Sequence, residues 1–182
     1  MPDGGHKGSF VQAYNAQIAV DSEAQIIVAA EITQESNDKQ QLAPMLERVE
    51  QNMGAKPEAA TADTGYFSAE QVNDERVRNI DLYIAIGKQK HGESEVATEA
   101  SPLPADSERT QMRQRLQTEQ GKAIYKMRKA IVEPVFGQIK EWRGFRRFSL
   151  RGLEKAGAEW KLICLTHNLL KLFRSGWVPQ AA

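Results

Sequence analysis

A chain of 182 residues is long enough to bury a real hydrophobic core as one ordinary domain. Its zero net charge hides an asymmetry: residues 1–106 carry 8 Lys and Arg against 18 Asp and Glu, while residues 107–155 carry 13 against 5, so contacts with a polyanion are expected from the second part. The lone Cys164 excludes an internal disulfide and suits a reducing cytoplasm, no signal-peptide pattern opens the chain, and no apolar run approaches the ~20 residues that span a bilayer.

The opening MPDGGHKGSF is Gly-rich and polar without periodicity, so residues 1–9 are expected to be disordered and His6 solvated. VQAYNAQIAVD and AQIIVAAEIT have strand-like composition and flank the short polar turn DSEAQ, which predicts an antiparallel hairpin. SNDKQQ supplies capping residues for a helix in which Leu42, Met45, Leu46, Val49 and Met53 keep helical spacing. Gly54 is the expected stop.

A short small-residue strand, Ala59 to Ala62, is expected to end at Asp63, with Thr64 and Gly65 turning the chain. Ser68 is the expected cap of the helix AEQVNDERVRN. A carboxylate at the C-terminal end of a strand in an open α/β sheet lies where such folds usually hold ligands, and Gly65 permits close backbone approach. The plainer alternative is an Asx-type turn in which Asp63 bonds its own backbone. Ile80 to Ile86 reads as another buried strand, and residues 88–106 read as a charged surface insertion in which His91 is solvated.

A long helical tract begins at Ser107, with Gly121 as a possible divider. Within it lies YKMRKAIVEPVFGQIK, followed at once by EWRGFRRFSLRG. At roughly 100° per residue, Lys129, Glu133 and Lys140 fall within about 40° of one another, while Arg128 points largely away. A carboxylate among cations suits a divalent metal facing phosphate; the alternative is an exposed face with ordinary pairs such as Lys129 with Glu133. Pro134 is awkward in mid-helix: either the helix kinks there, or a new one starts with Pro134 in its first turn. Trp142, Phe145 and Phe148 interleave with Arg143, Arg146 and Arg147, a pattern that stacks on and neutralises nucleic acid or packs its aromatics into a core. LEKAGAEWKLICLTHNLLKLF is an amphipathic helix with Trp160, Ile163, Leu170 and Phe173 toward the core and His167 packed, and residues 175–182 form a tail.

YNAQIAVD, ITQESNDKQQL, ADTGYFS and the Tyr-Arg-Glu-Lys run together resemble the C-terminal catalytic part of bacterial insertion-sequence DDE transposases. The resemblance spans Phe10 to Phe173, within a domain placed at residues 10–174. It implies an α/β, RNase H-like mixed sheet with flanking helices, an active site holding two Mg²⁺ (or Mn²⁺) ions, and cleavage and transfer of DNA ends. By it, Asp63 matches the second catalytic Asp and Glu133 the catalytic Glu, both as metal ligands. Tyr125, Arg128 and Lys140 match the signature Y-x2-R-x3-E-x6-K as DNA contacts, joined by Lys129, Arg143, Arg146 and Arg147. The interval from Arg128 to Glu133 is four residues rather than three, whereas Lys129 has the family interval.

The family's first catalytic Asp lies on a strand upstream of the hairpin, and nothing before Phe10 reads as that strand. Asp21 is the one substitute, in the hairpin turn rather than mid-strand. The expectation is therefore an N-terminally truncated transposase, inactive by itself and missing its first strand, which associates with itself or with full-length transposase. The alternative is a noncatalytic nucleic-acid-binding or regulatory remnant.

Overall fold

A computed structural model describes residues 13–86 and 107–176; the expectations for residues 1–9, the 88–106 insertion and most of the tail lie outside them. The chain divides into two compact units, residues 1–36 with 129–182, and residues 37–128.

In the first unit, β1 (Asn15–Val20) and β2 (Ile27–Thr33) form the expected antiparallel hairpin, with a register shift at Ala19/Val20. Asp21 serves the turn: its Oδ2 accepts from the Ala24 N–H at 2.6 Å. α5 (Leu153–Arg174) packs on β2, and Ile27, Val135, Ile139, Trp160, Ile163 and Cys164 make the shared core. Trp160 is the anchor. Its Nε1 donates to the Gln17 carbonyl at 3.1 Å, and its ring stacks on Phe136 and takes the edge of Phe148. Asn168 grips the start of β2, accepting from Ile27 N–H at 2.9 Å and donating to Ile27 O at 2.8 Å. His167 is buried beside it, and its Nε2 has no hydrogen-bond partner among the described residues.

The second unit is built on a parallel pair, β3 (Ala59–Ala62) with β4 (Asp81–Ile84). Between them run a 3-10 turn (Thr64–Tyr66), the four-residue α2 (Ala69–Val72) and a second 3-10 turn (Glu75–Val77). Ser68 caps α2 as expected, but the predicted longer helix breaks at Asn73. α1 (Leu42–Met53) and α3 (Glu108–Gln117) bury Leu42, Ala43, Leu46 and Met112 against Phe67, Val77, Leu82 and Ile84. Gly54 stops α1 at φ 74°. The N-terminal cap of α1 is corrected: Gln41 takes that position without a side-chain bond. A distant residue serves instead, because the buried Gln71 carbonyl oxygen accepts from Ala43 N–H at 2.9 Å.

The α/β class is as expected. In place of one mixed sheet, the described residues form two separate two-stranded sheets, one antiparallel and one parallel, each covered by its own helices. The long helical tract divides at Thr118, not Gly121: α4 (Glu119–Gly137) begins there, with Thr118 Oγ1 accepting from Gly121 N–H at 2.9 Å. α4 neither stops nor restarts at Pro134. It passes into a π turn, Gln138–Trp142.

Gly121 is required by space rather than by conformation, since a Cβ there would collide with the Arg115 carbonyl oxygen. Gly121→Ala is expected to lower unfolding free energy by about 1–3 kcal/mol, measured by urea denaturation. His167 gives a pH dependence of known sign. Burial is the main cause holding its pKa below the ordinary 6.5, with the Gln25 backbone bond opposing and Lys171 and Arg143 adding to it. The folded ring therefore stays neutral where the unfolded ring takes up a proton, so its contribution is complete above the ordinary value and is lost as pH falls below it. Urea midpoints should decline between pH of about 7 and 5, and His167→Leu should flatten that decline.

Candidate active site

Asp63 stands where β3 ends, and it is exposed. Pairing of Ala59–Ala62 with Asp81–Ile84 fixes the strand, and Asp63 then caps the Thr64–Tyr66 turn through an Oδ1 that accepts from Gly65 N–H at 2.9 Å. The Asx-type turn is thus present, and it uses only one carboxylate oxygen in this bond. Gly65 is close to two carboxylates. A Cβ on it would lie 3.1 Å from Asp63 Oδ1 and 3.1 Å from Asp38 Oδ2, so those oxygens lie within twice that distance of each other. Asp38 was not singled out as a site residue in the sequence; the only signal was its place in SNDKQQ, where it read as one of several capping residues. Among the described residues, no group of three or more His, Cys, Asp and Glu side chains could hold a metal ion.

On α4, Tyr125 and Arg128 belong to the second unit, whereas Lys129 and Glu133 belong to the first. Tyr125 is buried with Tyr83 and Ala85, so its ring is core as well as signature. The Arg128 guanidinium lies 5.4 Å from the Tyr125 ring centroid, and its buried Nε has no hydrogen-bond partner among the described residues. Lys129 and Glu133 are both exposed, and no ion pair joins them among the described residues.

Lys140 sits in the π turn, which alters the angular step assumed for an α-helix; its Nζ is 5.1 Å from the Phe136 ring centroid. The arginines differ sharply from one another. Arg143 Nη1 donates to the Ile163 carbonyl at 3.2 Å, its Nη2 donates to Thr166 Oγ1, and its guanidinium lies over Phe145. Arg146 pairs with Glu141, and Arg147 is exposed. Glu159 holds the loop that follows, accepting from the Ser149 and Leu150 N–H groups at 2.9–3.0 Å. Those backbone donors keep the Glu159 carboxyl below its ordinary range. Of the aromatics, Phe148 is core, while Trp142 is 87 % exposed. Asp21 is committed to the hairpin turn, and Cys164 is a buried thiol pushed up to about 12, mainly by burial.

The Asx turn separates structure from chemistry at Asp63. Asp63→Asn keeps an oxygen acceptor for Gly65 and should change stability little. Asp63→Ala removes it and should cost about 0.5–1.5 kcal/mol. Paired urea melts of the two variants check this.

No helix among the described residues is long and apolar enough to cross a membrane. No curated protein and no solved structure matches the chain. A family model described as the transposase DDE domain matches residues 2–169. That match covers most of the sequence, so the chain belongs to the transposase DDE domain family, and transposase function is what that membership supports.

Proposed function

We propose that this chain is the catalytic part of an insertion-sequence transposase of the Tyr-Arg-Glu-Lys type, which cleaves DNA ends and transfers them in the cytoplasm. The observation that carries the reading is Asp63, exposed at the carboxyl end of a parallel strand, in a chain matched by the transposase DDE domain. An RNase H-like arrangement is consistent with an antiparallel hairpin followed by a parallel pair with helical connections.

The family uses divalent cations, and the donor chemistry of Asp63 and Glu133 suits them. Carboxylate oxygens are hard donors suited to Mg²⁺ or Mn²⁺, and Gly65 leaves beside Asp63 a space that a Cβ would fill. Asp63 and Glu133 are the ligands in this reading. Bound ions supply activation of a water or DNA 3′-hydroxyl and stabilisation of the leaving oxygen. The chain's own part is to aim and to hold. Gly65 N–H fixes one Asp63 oxygen, which orients the carboxylate before any ligand arrives. Exposed Lys129, Lys140 and Arg147 hold phosphate oxygens as point charges or as a planar fork. Arg128, Arg143 and Arg146 are already engaged within the fold, so they contribute charge more than free donors. Tyr125 positions Arg128 by stacking. Self-association, or pairing with full-length transposase, would use the outer strand edges of two short sheets.

Two measurements test the reading. Mn²⁺ binding, followed by the electron paramagnetic resonance of the free ion, should weaken by roughly tenfold, about 1.4 kcal/mol, in Asp63→Asn and in Glu133→Gln. Unchanged affinity in both would remove the metal-site assignment. DNA binding should be independent of sequence and steeply salt-dependent, and Lys140→Glu with Arg147→Glu should reduce the salt slope by about one per contact. These two sites are preferred to Arg143 and Arg146, whose replacement would also disturb packing. Binding that keeps its salt slope in that variant would place the DNA elsewhere.

A further inference from the structure

α5 is apolar on two opposite faces, and among the described residues of its unit only one of them is used. Ala156, Trp160, Ile163, Cys164 and His167 are buried. At roughly 100° per residue, Leu162, Leu165, Leu169 and Leu172 centre on the other side of the helix, close to 180° away. Those four leucines are between 36 and 60 % exposed; Phe173 beside them and Leu170, both expected toward the core, are instead exposed, Phe173 by 82 %, because the buried stripe of α5 runs through Trp160, Ile163, Cys164 and His167. A helix that is hydrophobic all round is ordinarily buried all round.

We infer that the Leu162–Leu165–Leu169–Leu172 face of α5 pairs with the same face of a second copy of this chain. Three observations commit the surface to that occupant. First, the spacing of the leucines is three, four and three residues, the alternation of a coiled-coil seam. It reads the same in both directions, so a two-fold antiparallel pairing sets Leu162 against Leu172 and Leu165 against Leu169. Second, the area suffices. The exposed parts of the four leucines and Phe173 amount to roughly 550 Å² per copy, about 1,100 Å² for the pair, just above the ~1,000 Å² that a specific interface needs. Third, the charges suit this direction. No Asp, Glu, Lys or Arg occurs from Leu162 to Leu170, and Lys171 turns away from the seam to bond Gln25, so the seam buries no charge. Lys171 and Arg174 lie at the C-terminal end of the helix, while Glu154, Lys155, Glu159 and Lys161 balance toward the other. Parallel pairing would set two cationic ends together, and antiparallel pairing keeps them apart.

This inference is independent of the transposase reading and of strand-edge association. The test is sedimentation velocity of the full chain over a wide concentration range. A monomer–dimer equilibrium is expected. Leu165→Glu and Leu169→Lys should each weaken it at least tenfold, and because both positions are exposed, the circular dichroism melt extrapolated to low concentration should stay unchanged. The double variant Leu165→Glu/Leu169→Lys should regain dimer, since antiparallel pairing sets each Glu against a Lys of the other copy. A chain monomeric throughout overturns the inference. So does association that ignores both single substitutions, which would assign it to strand edges, or a double variant no better than the singles, which would exclude the antiparallel seam.

Discussion

The first unit hangs on one side chain in the hairpin turn, Gln25. Pro134 has no N–H to give to the carbonyl four residues before it, which leaves Ala130 O without its helical donor. Gln25 Nε2 donates to that oxygen at 2.8 Å, and Gln25 Oε1 accepts from Lys171 Nζ at 2.8 Å. The amide thereby ties the turn to α4 and α5 together. The turn adopts positive φ at Gln25, 56°, which a residue with a Cβ adopts at some cost. Three satisfied groups offset that cost, since the Gln25 backbone also meets His167. α4 therefore continues through Pro134 because a partner from another element replaces the lost donor.

The second unit uses the same device at a different place. Gln71 lies buried between helices, giving its carbonyl oxygen to Ala43 N–H and its amide nitrogen to Gln40 Oε1 at 3.1 Å. In both units a glutamine amide, donor and acceptor in one planar group, satisfies backbone that secondary structure leaves open. Asn168 does likewise at Ile27. These amides sit at the joins between elements, where a lost bond would leave a buried polar group without a partner.

The basic segment shows how one residue serves both fold and surface. Arg143 lies among like charges in the sequence, yet its terminal nitrogens are spent on Ile163 and Thr166 of α5. Arg146 is neutralised locally by Glu141. The free positive character of the segment thus rests on exposed residues such as Lys126, Lys129, Lys140, Arg147 and Arg151. At Asp63 the division is finer still, since one oxygen takes the Gly65 N–H while the carboxylate as a whole stays exposed.

Local chemistry determined much of this protein in the sequence alone. Two runs of strand-like composition on either side of the polar turn DSEAQ announced the hairpin, apolar residues at helical spacing and Gly54 bounded α1, and Ala59–Ala62 ending at Asp63 marked the strand and its carboxylate. The ordered motifs gave the family, which the match over residues 2–169 shows. Each of these signals is carried by residues adjacent in the chain, where periodicity and turn chemistry act directly. The tertiary structure alone decided what depends on partners far away. Asp38 approaches Gly65 from another segment; Gln71 caps α1 across 28 residues, and Gln25 meets Ala130 across 105. Tyr125 reads as a phosphate contact by its motif, but Tyr83 and Ala85 bury it. α5 reads as a helix with one apolar face, but only the position of β2 shows which leucines remain outside. A residue's type announces what it can bond; only the fold decides which groups come within reach.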